Sequence, residues 1–180
     1  MEILTPEEIV ESFKSTLGNN LSDSKIYQTE AAIKKNLFTS ISLYVKLEGF
    51  RNAMKHMCEL QEHPHFIVIS PNDRGDIVEL IYHAAIYYGQ HLKEISLLLS
   101  VSLPKNNLKI PTITDIIPAA IYAEREVQEM MGVEIVGIPD NRRLFLPDDF
   151  PEGVYPWRQD ETGPEKMLRV LPGRKGIQHG

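Results

Sequence analysis

Apolar residues recur along this chain with two different periods, and the switches between them outline the fold. Ile9, Val10, Phe13 and Leu17 repeat at helical spacing. Thr5 can cap that helix, Pro6 suits its first position, Glu8 completes a capping box, and Gly18 is placed to end it. Ile41, Leu43, Val45 and Leu47 then alternate with Ser42, Tyr44 and Lys46, which is the period of a half-buried strand. Phe50, Ala53, Met54, Met57 and Leu60 return to the helical period. Phe66 to Ile69 reads as a strand before Pro71 and a turn at Asn72 to Gly75. Ile77 to Tyr88 fits either period, and its β-branched and aromatic content favours a strand. Gly89 and Gln90 look like a hairpin turn into a strand in which Ile95, Leu97, Leu99, Val101 and Leu103 alternate with polar residues. Leu98 interrupts the polar side, so that face is expected to be partly covered.

Strands joined by short turns favour antiparallel pairing. The expectation is an α+β fold of two layers, a mainly antiparallel sheet with helices on one face. A last helix is expected from about Thr114 to Met131. Thr114 or Asp115 would cap it, Pro118 would have to lie in its first turn, and Gly132 would terminate it. Residues 1–131 form the domain on this reading. Residues 132–180 hold six of the 12 prolines and seven of the 11 glycines, with no strand or helix pattern. They also carry Phe145, Phe150, Tyr155 and Trp157, too much aromatic surface for a free tail. An extended C-terminal arm packed on a partner resolves that conflict.

Composition narrows the function. The apolar fraction of 42% supports a sizeable core, and a net charge of −6 argues against nucleic acid as a partner. A lone cysteine, Cys58, cannot build a disulfide framework or a multi-cysteine zinc or iron–sulfur site. No run is long and apolar enough to span a membrane, and acids stand where a signal peptide would be basic. The expectation is a chain that stays in the cytoplasm, with any link to a membrane passing through another subunit.

One helix face holds most of the chemistry. Ile117, Ala120, Ile121, Glu124, Val127 and Met131 share it, and Glu124 sits amid the apolar stripe. A buried carboxylate needs a cation or several donors. The nearest unassigned cations in sequence are Arg142 and Arg143, and a bidentate contact from either would satisfy it. Arg125 and Glu129 are four apart and can pair on the outer face, worth only ~0.3 kcal/mol.

The stretch from Thr114 to Phe150 resembles the complex I family, in particular the small peripheral-arm subunit of NADH dehydrogenase. The matching residues are Glu124, Arg125, Glu126, Glu129, Met130, Met131 and Gly132, then Pro139, Asp140, Arg142, Arg143, Leu146, Pro147, Asp148, Asp149 and Phe150. Two departures stand out: Ile138 where the family usually has histidine, and Tyr155 to Asp160 where the quinone-reducing branch reads Pro-Leu-Arg-Lys-Asp. The wording from Leu144 to Pro156 is more similar to archaeal membrane-bound hydrogenases and their sulfur-reducing relatives. The resemblance implies a cofactor-free subunit of an ion-translocating oxidoreductase. It would dock on a large catalytic subunit like that of nickel–iron hydrogenases, beside a small iron–sulfur subunit, with membrane-arm subunits beyond. Iron–sulfur clusters are expected in those partners. The structural and interface residues are then Glu124, Arg125, Glu126, Glu129, Arg142, Arg143, Asp148, Asp149, Tyr155, Trp157 and Arg158, with Glu124 and Arg142 or Arg143 pinning the root of the arm.

Sharper readings fare worse. Glu124 and Glu126 diverge by about 200° on a helix and cannot act as an acid/base pair on one atom. Asp148 and Asp149 are better read as solvated or arginine-paired than as a Mg²⁺ site. His56, Cys58, His63 and His65 lie close in sequence, but His56 and Cys58 also diverge, which disfavours zinc. Cys58 is expected at the core edge and the histidines facing solvent.

Overall fold

The computed structural model describes residues 3–31 and 36–164. α1 (Pro6–Leu17) begins as its sequence dictates: Thr5 caps it, and the Glu8 side chain accepts from the Thr5 N–H in return. A five-stranded sheet follows, built from β1 (Leu21–Ala31), β2 (Asn36–Val45), β3 (His65–Asp73), β4 (Ile77–Ile86) and β5 (Ile95–Pro104) in the order β1-β2-β5-β4-β3. All pairings are antiparallel except β2 with β5, which is parallel. α2 (Phe50–Leu60) lies between β2 and β3 in sequence. After β5 come β6 (Lys109–Pro111), α3 (Ile121–Met131) and β7 (Glu134–Val136), with β6 and β7 forming a small parallel pair.

The core lies between the helices and one face of the sheet. Val78, Leu80, Tyr82, Ala84 and Ile86 of β4 and Leu97, Leu99, Val101 and Leu103 of β5 are buried in it. They meet Ile9 and Phe13 of α1, Phe50, Met54 and Met57 of α2, and Val127 and Met131 of α3. This is the expected two-layer α+β arrangement.

Four local expectations need correction. β1 is a strand that the hydrophobic pattern does not announce. Its run from Leu21 to Ala31 is mostly polar because it is an edge strand, held by its register with β2 rather than by burial. The strand expected at Phe66 to Ile69 runs on through Pro71 to Asp73, which an edge strand tolerates. The last helix starts later than Thr114. Pro118 opens a short 3₁₀ turn and α3 proper begins at Ile121, so the prolyl ring sits where no N–H partner is needed. Finally, β7 lies where no strand pattern was visible. Three residues are too few to show a period, and their register comes from pairing with β6.

The zinc candidates do not converge. His56 is mostly buried rather than facing solvent: its ring stands edge-on to Phe13 and bonds to Ser12 and Glu59. Cys58 is half-buried at the core edge, while His63 and His65 are exposed. Among the described residues no three His, Cys, Asp or Glu side chains are placed to hold a metal ion.

Candidate functional site

α3 ends at Gly132, whose φ of 70° is the left-handed cap the sequence calls for. Glycine is required there for a second reason. A Cβ at this position would stand 2.5 Å from the Tyr155 ring, so the arm packs directly on the helix terminus.

Glu124 is fully buried, but its partner is not an arginine of the arm. The carboxylate accepts from the Thr112 hydroxyl at 2.6 Å and from the Ile113 N–H at 2.7 Å. Arg51 of α2 backs this segment. It donates to the Thr112 carbonyl and forms a two-pronged contact with Asp115 at 3.0 and 2.5 Å. Burial pushes the Glu124 carboxyl above the usual range, against the pull of the two hydrogen bonds. Glu124 therefore ties α3 to the β6–α3 connection. Sequence proximity suggested Arg142 and Arg143; the fold instead brings in a segment that precedes the helix.

Pinning the arm falls to Arg125 and Glu129. Arg125 donates to the carbonyls of Arg142 at 2.9 Å and Arg143 at 3.0 Å, and lies 3.4 Å from Asp140. Glu129 accepts the three consecutive N–H groups of Leu144, Phe145 and Leu146, at 3.1, 2.9 and 2.7 Å. These two residues do not pair with each other on the outer face as their spacing suggested. Both read the backbone of the arm, which supplies the hydrogen bonds that an irregular segment otherwise lacks.

The two arginines of the motif serve the arm itself. Arg142 forks onto Asp140 at 2.9 and 2.7 Å, and that arginine, with Arg125 beyond it, holds the Asp140 carboxyl well below the usual range. Arg143 gathers the carbonyls of Pro147, Asp148 and Phe150, closing a turn that leaves the Asp148 and Asp149 side chains exposed. Between α3 and this turn lies an open cavity of about 400 Å³, lined by Arg125, Glu129, Arg142, Arg143 and Tyr155 but by neither Glu124 nor Asp148.

Farther along, the arm folds back onto its own domain. The Trp157 N–H donates to the Met130 carbonyl at 3.1 Å. Lys105 bridges Asp73, at the end of β3, and Asp160 of the arm at 2.7 and 2.5 Å, while the Gln159 N–H donates to Asp73. Arg158 is buried beside this group, its Nε donating to Thr162, and its Nη1 has no hydrogen-bond partner among the described residues. Burial alone would raise the Asp73 and Asp160 carboxyls, but Lys105 and nearby N–H and hydroxyl donors outweigh it and hold both below the usual range.

The described part of the arm thus lies on this chain's own α3 and strand ends, and residues 165–180 fall outside the described set. The arm presents Phe145 and Trp157 to solvent and α3 presents Tyr122; all three are exposed, Phe145 and Tyr122 by more than 60%. Glu126 is half-exposed on the outer side of α3. Sequence reasoning missed Thr112, Arg51, Asp73, Lys105 and Tyr122. Only the Thr112-Ile113-Thr114 pattern ahead of Pro118 offered a hint.

Residues 43–166 match the family described as the respiratory-chain NADH dehydrogenase 30 kDa subunit. The chain is 36% identical to the membrane-bound hydrogenase subunit beta of Pyrococcus furiosus over 159 residues, covering 87% of this chain and 91% of that protein. It is also 36% identical to an NADH-quinone oxidoreductase subunit of Moorella thermoacetica over 83 residues, 46% of this chain and 52% of the other. Among solved structures, a chain of an archaeal membrane-bound sulfane sulfur reductase shares the fold, with a TM-score of 0.68 over 96% of each chain at 21% identity.

Proposed function

The chain belongs to the family of the respiratory-chain NADH dehydrogenase 30 kDa subunit, and from that premise we propose that it is a non-catalytic structural subunit of a membrane-bound, ion-translocating oxidoreductase of the hydrogenase or sulfur-reductase type. Its near full-length likeness to a membrane-bound hydrogenase subunit, against a half-length likeness to a quinone-reducing one, supports that branch. One observation carries the docking role: α3 and the arm form a single pre-built surface. Arg125 and Glu129 hold the arm backbone in place, so Tyr122, Phe145 and Trp157 are presented at little further ordering cost. On this reading that surface meets the large catalytic subunit, with a small iron–sulfur subunit alongside. No helix among the described residues is long and apolar enough to cross a membrane. Attachment to the cytoplasmic face would then run through partners.

Of the acids that invite a catalytic reading, Glu124 is buried under two hydrogen bonds, Glu126 is half-exposed on α3, and Asp148 and Asp149 are exposed at a surface turn, while Glu129 is occupied by three arm amides. On this reading the redox chemistry and its iron–sulfur clusters belong to the partner subunits.

Gentle detergent extraction and affinity capture of the tagged chain tests this. A nickel–iron-hydrogenase-like large subunit and an iron–sulfur subunit should co-purify. Trp157→Ala combined with Phe145→Ser should lower their recovery several-fold while leaving turnover per assembled complex unchanged. A chain that elutes alone would overturn the assignment, and a tenfold loss of turnover in complexes that still form would overturn the non-catalytic role.

A further inference from the structure

The negative charge of this protein is concentrated in one stretch of the chain. Residues 121–163, which hold α3, β7 and the arm as far as Gly163, carry ten acids against four arginines and no lysine. Their net charge of −6 equals that of the whole chain, so the rest of the sequence balances. All four arginines are engaged within the chain. Arg125 and Arg143 donate to arm carbonyls, Arg142 forks onto Asp140, and Arg158 is buried beside Lys105 and Asp160.

Half of the acids are engaged as well. Glu124 is buried under two hydrogen bonds, Glu129 holds three arm amides, and Glu134, Asp140 and Asp160 pair with Lys109, Arg142 and Lys105. Glu126, Asp148, Asp149, Glu152 and Glu161 have no ion pair among the described residues. The first four belong to the surface that presents Tyr122, Phe145 and Trp157. Glu126 shares the outer face of α3 with Tyr122, four residues earlier, and with Glu129, which holds the backbone at Phe145. Asp148 and Asp149 stand exposed in the turn that Arg143 closes, and Glu152 lines the same cavity as Glu129, Arg143 and Tyr155. Arg143 offsets one of these four charges and leaves three uncompensated.

That combination selects a partner by charge. A concentrated negative field repels nucleic acid, an acidic lipid surface or an acidic protein face, and it draws in a basic one. Arginine and lysine are also the side chains that gain from lying over exposed aromatic rings, and arginine can fork onto a carboxylate at the same time. We propose that the acidic, aromatic surface of α3 and the arm docks a basic surface of a neighbouring subunit. Its arginine and lysine side chains pair with Asp148, Asp149, Glu152 and Glu126 and cover Tyr122, Phe145 and Trp157. The proposal rests on the reading of the chain as a subunit of a complex and deepens it by naming the chemistry of the face it meets.

The test uses the full-length tagged chain in its source cells. Asp148→Lys with Asp149→Lys reverses two exposed side chains that make no hydrogen bond or ion pair among the described residues, so the isolated variant should keep the wild-type melting temperature. Recovery of one subunit of the membrane complex should fall about fivefold. Asp148→Asn with Asp149→Asn should lower recovery of the same subunit by about twofold, and that gap should shrink when the wash is raised to about 0.5 M salt. Glu11→Lys with Glu62→Lys, two exposed positions outside this surface, makes the same change in net charge and should leave recovery unchanged. A photo-crosslinking residue at position 149 should capture another subunit through a peptide rich in arginine or lysine. The proposal fails if reversal at 148 and 149 recovers every subunit at wild-type level, or if the Glu11 and Glu62 pair loses as much. A drop in the melting temperature of the Asn pair overturns it too, since the carboxylates would then serve this chain's own packing. It fails equally if the crosslink maps to an acidic or uncharged segment, to lipid, to a second copy of the chain, or to this chain's own residues 165–180, which hold four basic residues and one acid. If the wild-type chain recovers no subunit at all, the reading as a complex subunit falls and this proposal falls with it; if wild type and variants recover the same set, the proposal falls alone.

Discussion

On its inner side α3 buries Glu124 against the 112–114 segment; on its outer side it offers Arg125 and Glu129 to the arm. Both sides use a carboxylate to collect backbone N–H groups, yet the settings differ. Glu124 has no solvent exposure, so anything that removes it leaves a hydroxyl and an amide unsatisfied in the core region. Glu129 is half-exposed, and water can take over the amides it releases. The inner contact therefore belongs to the stability of the whole domain, and the outer one to the order of the arm.

Glu124→Ala should show the largest effect, a loss of about 3 kcal/mol of unfolding free energy in chemical denaturation. Its arm amides should stay protected relative to the rest of the chain, and selective loss of arm protection would show that the inner contact serves the arm after all. Gly132→Ala joins the two regions, because it strains the helix cap and drives a methyl into the Tyr155 ring. A cost of about 1–2 kcal/mol is expected, with a shifted Tyr155 environment visible by NMR. An unshifted Tyr155 would mean that the arm does not rest on the helix terminus.

Glu129→Ala should cost about 1 kcal/mol locally. Hydrogen exchange at Leu144, Phe145 and Leu146 should speed up while the global denaturation midpoint barely moves. A midpoint shift as large as that of Glu124→Ala would erase the distinction between the two sides.

Acid should separate the regions with the smallest effect and opposite signs. The Glu124 carboxyl is raised in the folded state, so its contribution to stability is present below its unfolded value of about 4.3 and lost as pH rises through the folded one. Asp73 and Asp160 are lowered, so theirs is present above about 3.9 and lost as pH falls through the folded values. Exchange measured at pH 7, 5 and 3 should find the arm end near Gln159 opening only in the most acidic sample. Opening already at pH 5 would sink the assignment of the Asp73–Lys105–Asp160 cluster as its anchor.

Much of the fold could be read from residue patterns. Thr5, Pro6, Glu8 and Gly18 delimit α1 by local chemistry alone, and the alternation from Ile95 to Leu103 marks a central strand because one face must be buried. Polar β1 escaped notice because an edge strand owes its conformation to hydrogen bonds with a neighbour, and those leave no hydrophobic period. At the site, the motif around α3 and the arm was legible as a set of residues, but their pairings were not. Glu124 was visibly a buried carboxylate in need of donors, which follows from its position on an apolar helix face. Which donors it found depended on Thr112 and Ile113 arriving from just beyond β6 and on Arg51 arriving from another helix.

The sequence by itself determined the periodic elements, the caps and the family, because each rests on neighbours within a few residues or on a run of matching positions. Only the tertiary structure decided that Arg125 and Glu129 hold the arm and that the described arm lies on its own domain. Those contacts run between side chains and distant backbone, and a backbone amide carries no mark in the residue that bears it.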